Sequence, residues 1–249
     1  MATEWAELDE EAWRIFGGLH RLLLRLAGRF PDELLSHARA MLGQGDLAYL
    51  PDTVTGAAVG LGVSMAPAEV DLLRHVVEAL GDGGEPPSGA DQVPLSEVVP
   101  ATDHRFAPAP PAVLASAGAR IPASLDLTGE PGADLDNLDD LDDLDDLRDE
   151  LTDLTDDLVV DALSEHAGVV AIWRTWRFGP AGPPDGGQRV YLAEVEPGVR
   201  AWELTLDAQR ELVQMDVEAP QVEVFWTGDE LPPYHRAARD HAALLWNRP

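Results

Sequence analysis

From Asp134 to Asp146 every third residue is a leucine, and every other position except Asn137 is an aspartate. An α-helix turns by about 300° over three residues, so Leu135, Leu138, Leu141 and Leu144 drift about 60° per step and form no single stripe. Aspartate is a poor helix former, and adjacent like charges oppose the helix further. The run therefore reads as a solvated, self-repelling linker, of the kind that repeat slippage lengthens. The spacing changes at Leu147. Leu147, Leu151, Leu154, Leu158 and Ala162 follow a four-three-four-four pattern, which predicts an ordered helix over 147–166.

Residues 134–161 hold 14 acidic side chains against one arginine, Arg148, and the whole chain has 46 acidic and 17 basic residues for a net charge of −29. Such a field repels nucleic acid and disfavours anionic membrane surfaces. It attracts a basic protein and speeds its association in a salt-sensitive way. All 17 basic residues are arginine, and there is no cysteine. Without lysine there is no Schiff base, cofactor-linking amine or phosphate-loop lysine. Without cysteine there is no disulfide framework, thiol nucleophile or thiolate zinc site. Neither an apolar run of about 18 residues nor a secretory leader is visible, so the expected compartment is the cytoplasm.

The fold class expected on either side of the acidic tract is α+β. Residues 1–80 read as a helical bundle. Trp5, Leu8, Ala12, Ile15, Leu19, Leu22 and Leu26 make the first stripe. Pro31 and Pro67 suit the first turns of later helices, and a third helix fits 51–61, where Gly56, Gly60 and their alanine neighbours would permit close packing. Residues 81–133 contain nine prolines and seven glycines, and with the acidic run they read as one flexible linker over 81–146. Residues 147–249 read as a small, mostly antiparallel sheet with helices on one face. Strands are expected at 169–178, 188–196, 199–206 and 222–226, a short helix at 207–214 and a closing helix over 232–246.

The phrases Pro31-Asp32-Glu33-Leu34-Leu35 and Pro67-Ala68-Glu69-Val70-Asp71-Leu72-Leu73 resemble those of uncharacterised helical-plus-α/β proteins from GC-rich actinobacteria, some encoded near toxin–immunity systems. The resemblance covers residues 1–80 and transfers no functional residue.

Candidate chemistry is sparse. Gly62-Val63-Ser64-Met65-Ala66 loosely follows a nucleophile elbow, but its surroundings are helical and Ala66 stands where the second glycine belongs. His235 and His241 lie six apart, where a helical metal pair wants four, and His241 shares a stripe with Ala237, Ala238, Leu244 and Leu245. Asp134, Asp136 and Asp139 do not match a calcium loop. No catalytic, cofactor-binding or metal residue is assigned, and no cofactor is expected. Trp173-Arg174-Thr175-Trp176-Arg177-Phe178 sets aromatic rings beside arginines on a strand, the residue types enriched at binding hot spots.

These features lean against an enzyme. They predict a protein-binding module, immunity- or antitoxin-like, that holds a basic partner through Trp173, Arg174, Trp176 and Arg177 and through Asp139, Asp140, Asp142, Asp143, Asp145 and Asp146. The alternatives are a carboxylate/histidine hydrolase using Asp229, Asp240 and His241, or a two-ended scaffold.

Overall fold

A computed structural model describes residues 8–81, 85–117, 120–128, 151–180 and 186–249. The fold is mixed α and β, and the chain divides into two compact units, Met1–Val99 and Pro100–Pro249.

Four helices build the first unit: α1 (Glu10–Leu26), α2 (Asp32–Gln44), α3 (Leu50–Leu61) and α4 (Pro67–Ala79). Asp9 caps α1 by accepting the Ala12 N–H at 2.7 Å, and Glu69 closes the start of α4 by accepting the Ala66 N–H at 2.6 Å. Gly45 and Gly62 end α2 and α3 in the left-handed conformation that only glycine adopts without cost. Ile15, Leu19, Leu22 and Leu26 are buried as one stripe against Leu35, Leu42, Val70 and Leu73 of neighbouring helices. Trp5 lies outside the described residues. The glycines of α3 do not serve close packing. Gly56 and Gly60 are exposed with nothing near them, and it is Gly18 of α1 whose missing Cβ leaves room for Leu72 of α4. Ser64 ties helices together: its carbonyl and hydroxyl accept from Arg29 at 2.5 and 3.3 Å.

The linker expectation over 81–146 is corrected wherever that stretch is described. Residues 85–99 fold back on α3 and α4. Ser88 donates its N–H to Asp52 at 2.6 Å, Met65 and Leu95 form a bridge, and Val93 is buried. Residues 100–128 supply β1 (Arg105–Ala107), α5 (Pro111–Ala117) and β2 (Leu125–Asp126) to the second unit. Pieces of two or three residues are too short to show periodicity, and pairing onto a sheet already formed offsets the entropy of ordering them. The rest of that stretch lies outside the described residues.

The second unit continues with α6 (Leu154–Ser164), β3 (Val169–Phe178), β4 (Gln188–Val195), α7 (Ala201–Gln214), β5 (Gln221–Trp226), α8 (Pro233–Asp240) and β6 (Ala243–Asn247). The strand order is β2-β6-β3-β4-β5, with β1 pairing the far half of β3. The sheet is mixed and mostly antiparallel: β3 pairs antiparallel with β1, β4 and β6, while β2–β6 and β4–β5 are parallel. Parallel neighbours need a long crossover, and this explains the first mistaken strand. Residues 199–206, expected extended, include the first half of α7, whose buried Ala201, Leu204, Ala208 and Leu212 repeat with helical spacing. The closing helix is also shorter than expected. It stops at Asp240, and the apolar run Ala243–Asn247 pairs with β3 as β6. A short apolar run fits helix or strand equally until a partner edge decides. Helices cover both faces of the sheet, not one: α6 and α7 pack on the face of Arg174 and Tyr191, and α8 on the face of Trp173 and Glu223.

Candidate functional site

β3 runs through the middle of the sheet, with β4 on one side and β6 and β1 on the other, so its alternating side chains serve two layers. Arg174 points into the α6 face and is 1% exposed. Its Nη1 donates to Asp156 Oδ2 at 2.5 Å and to the Leu151 carbonyl, and its Nη2 donates to the Pro108 carbonyl at 2.8 Å. Asp156, in the first turn of α6, also accepts from the Tyr191 hydroxyl at 2.7 Å and from Arg189 at 3.4 Å. Burial pushes the Asp156 carboxyl up, against the two guanidiniums and the hydroxyl, all donors that suit an anion. Burial, and then the Asp156 charge, raise the Tyr191 hydroxyl and keep it a donor.

Arg189 extends the network outward. It lies over the Trp176 ring at 4.7 Å and grips both oxygens of Asp153, the α6 N-cap, at 2.7 and 2.6 Å. That fork, more than any other partner, holds the Asp153 carboxyl at about 2, below its ordinary 3.8. A depressed acid adds stability above the ordinary value and loses it as pH falls through the lower one. Asp153→Asn keeps the cap and removes the charge. It is expected to lower the melting temperature at pH 6 through a loss below about 1 kcal/mol, solvent screening included. The gap to the parent should close between about pH 4 and pH 2; a gap constant with pH would assign the effect to the cap instead.

On the opposite face Trp173 stacks on Phe225, with centroids 6.4 Å apart and planes at 17°. Arg239 of α8 lies 4.7 Å over Trp173 and reaches Glu194 at 3.3 Å. Arg177 donates to the Tyr234 hydroxyl at 3.2 Å. The expected binding strand is therefore mostly structural. Arg174 is corrected outright, since a buried, paired arginine presents nothing to a partner. Trp173, Trp176 and Arg177 are half-buried, the two indoles beneath arginines of their own unit. Asp139, Asp140, Asp142, Asp143, Asp145 and Asp146 lie outside the described residues.

His241 is not the buried histidine that its stripe predicts. His241 leaves the buried stripe because α8 has ended, and it sits exposed with Nδ1 3.0 Å from the Ala237 carbonyl; Asp240 is exposed beside it. His235 is the buried one. Its Nε2 lies 3.0 Å from Glu223 Oε2, both side chains have no solvent exposure, and His235 Nδ1 has no hydrogen-bond partner. Sequence reasoning missed this pair; a glutamate in the middle of an apolar strand, Gln221–Trp226, is the one signal that could have found it. Among the described residues no group of three or more histidine, cysteine or acidic side chains could hold a metal ion, and no helix is long and apolar enough to cross a membrane.

One described surface keeps its charge uncompensated. Asp157, Asp161 and Glu165 follow α6 at four-residue steps, all exposed, and none has an ion-pair partner among the described residues. No protein-family model, curated protein or solved structure matches the chain.

Proposed function

We propose that the chain is a non-enzymatic protein-binding module that holds a basic protein, in the manner of an immunity protein or antitoxin. The observation that carries this reading is the outward face of α6. The arginines nearest its start, Arg174 and Arg189, are committed to Asp156 and Asp153. Asp157, Asp161 and Glu165 are left to solvent, directly downstream of the Asp/Leu run. A helix places such residues about 6 Å apart along one side. The row would meet a basic surface with charge that the fold has not neutralised. The buried His235–Glu223 pair supports no competing hydrolytic reading, because no substrate reaches side chains without solvent exposure.

Affinity capture at low and high salt, followed by mass spectrometry, tests the reading. The expected partner is basic and is released by salt. Asp157→Asn/Asp161→Asn/Glu165→Gln should weaken it about tenfold, roughly 0.5 kcal/mol per charge. An acidic partner, or one held more tightly as salt rises, would sink the proposal.

A further inference from the structure

We infer that the end of the second unit where α6 begins and α7 finishes is a docking surface for a basic segment carrying apolar side chains of its own. This rests on the basic-partner reading and names where, and by what chemistry, the partner is held.

The topology brings the surface together. β4 and β5 are parallel and joined through α7, so α7 returns from the end of β4 to the start of β5. Gln209 fixes that return by donating to the Pro220 carbonyl at 3.2 Å, one residue before Gln221, which stands opposite Val190. Arg189, beside Val190, holds the α6 N-cap Asp153 at 2.6 Å. α6 therefore starts at the end of the sheet where α7 stops, and the two helices pack side by side.

Leu154 in the first turn of α6 is 61% exposed, and Val213 and Met215 at the close of α7 are 57% and 40% exposed. Among the described residues of Pro100–Pro249 these are the exposed large hydrophobic side chains, and all three stand at this one end. Single exposed apolar residues are ordinary; three at the same end of two packed helices give a partner apolar surface to bury. The connection out of α7 also holds Asp216 (φ 58°) and Ala219 (φ 47°), the non-glycine residues with left-handed backbone among those described. Asp216 closes α7 in this conformation, donating its N–H to Val213 while Val217 donates to Leu212, which fixes where Met215 stands.

The rim selects the occupant. Asp157, Asp216 and Glu218 are exposed and Glu211 is half-exposed, while the nearby Arg210 lies 3.7 Å from Asp207 and Arg189 is held by Asp153. An apolar centre inside an acidic border fits a basic amphipathic segment.

The probe is a fluorescently labelled synthetic amphipathic helix of leucine and lysine, followed by anisotropy against the full chain at about 0.15 M ionic strength. Leu154→Ser/Val213→Ser/Met215→Ser should weaken binding roughly 30-fold with an unchanged melting temperature, since all three are already exposed. Tyr49→Ser/Leu95→Ser, exposed residues of the first unit, should leave it unchanged. Retained binding in the triple variant, with loss on deleting Asp134–Asp146, overturns this surface and leaves the basic-partner reading standing. A probe that no version binds overturns both. Equal binding of a helix with glutamine in place of lysine overturns the choice of a basic occupant. Self-association of the chain that the triple variant abolishes assigns the face to a second copy instead.

Discussion

Replacing Arg174 by alanine is expected to destabilise the second unit by about 3–5 kcal/mol, because removing one member of a buried ion pair strands the other. The loss is larger than one contact. Asp156, 2% exposed, would be left with only the outer Arg189 and the Tyr191 hydroxyl to serve it, and the Leu151 and Pro108 carbonyls would lose their donor. Those two carbonyls and Asp156 belong to two stretches of chain, around Pro108 and at the start of α6, that meet the β3 strand at this one guanidinium. Urea unfolding followed by tryptophan fluorescence reads the change, since five of the seven tryptophans (173, 176, 202, 226 and 246) lie in this unit. Arg174→Met fills much of the space but should recover little, whereas Arg174→Met/Asp156→Leu should recover part by removing the stranded carboxyl. It should not recover all, because the carbonyls remain unserved. A single alanine variant within about 1 kcal/mol of the parent would mean that the network is open to water and the clamp is not what seats α6.

The same arginine marks where sequence reading works and where it stops. The strand containing it was legible, since β-branched and aromatic residues over 169–178 coincide with β3. Its role was not. Arg174 looked like a partner-facing side chain because alternation assigns faces without saying which faces are covered, and here α6 covers one and α8 the other. Of the helix expected over 147–166, Leu154–Ser164 is helical and Asp153 caps its start, yet the reason it seats there is a buried aspartate among many solvated ones. Asp156 differs from Asp157 only by one step around the helix. The misread segments share a cause of another kind. Residues 199–206 and 243–247 carry apolar patterns compatible with helix or strand, and tertiary pairing chose. β1 and β2 could not be read locally at all, being three and two residues long and defined only by the strands they pair with. The pair of α6 and α7 ends that forms the proposed docking surface is legible only once the crossover between β4 and β5 is known to be parallel.

Truncating His235 to alanine is expected to cost about 3–5 kcal/mol for two reasons that can be separated. One is volume: a fully buried ring leaves a cavity between α8 and β5. The other is polar: the imidazole Nε2 lies 3.0 Å from Glu223 Oε2 with both side chains shut away from solvent. His235 Nδ1 has no hydrogen-bond partner, so the contact with Glu223 is the hydrogen bond that the ring makes. Glu223→Gln keeps a polar side chain of the same size opposite Nε2 and should cost less, about 1 kcal/mol. His235→Gln, which still offers an N–H, should fall between the parent and alanine. In a double-mutant cycle of His235→Ala and Glu223→Ala the combined loss should be smaller than the sum of the single losses by about 1–3 kcal/mol. Additive losses would instead reduce the site to two independent packing defects. A local signature should accompany the energetics. His235 anchors α8 to β5, and α8 also carries the Arg239 that covers Trp173 at 4.7 Å. Loosening α8 should therefore shift Trp173 emission in the native baseline, before unfolding begins, and a variant that loses stability without that shift would place the damage in β5 rather than in the seating of α8.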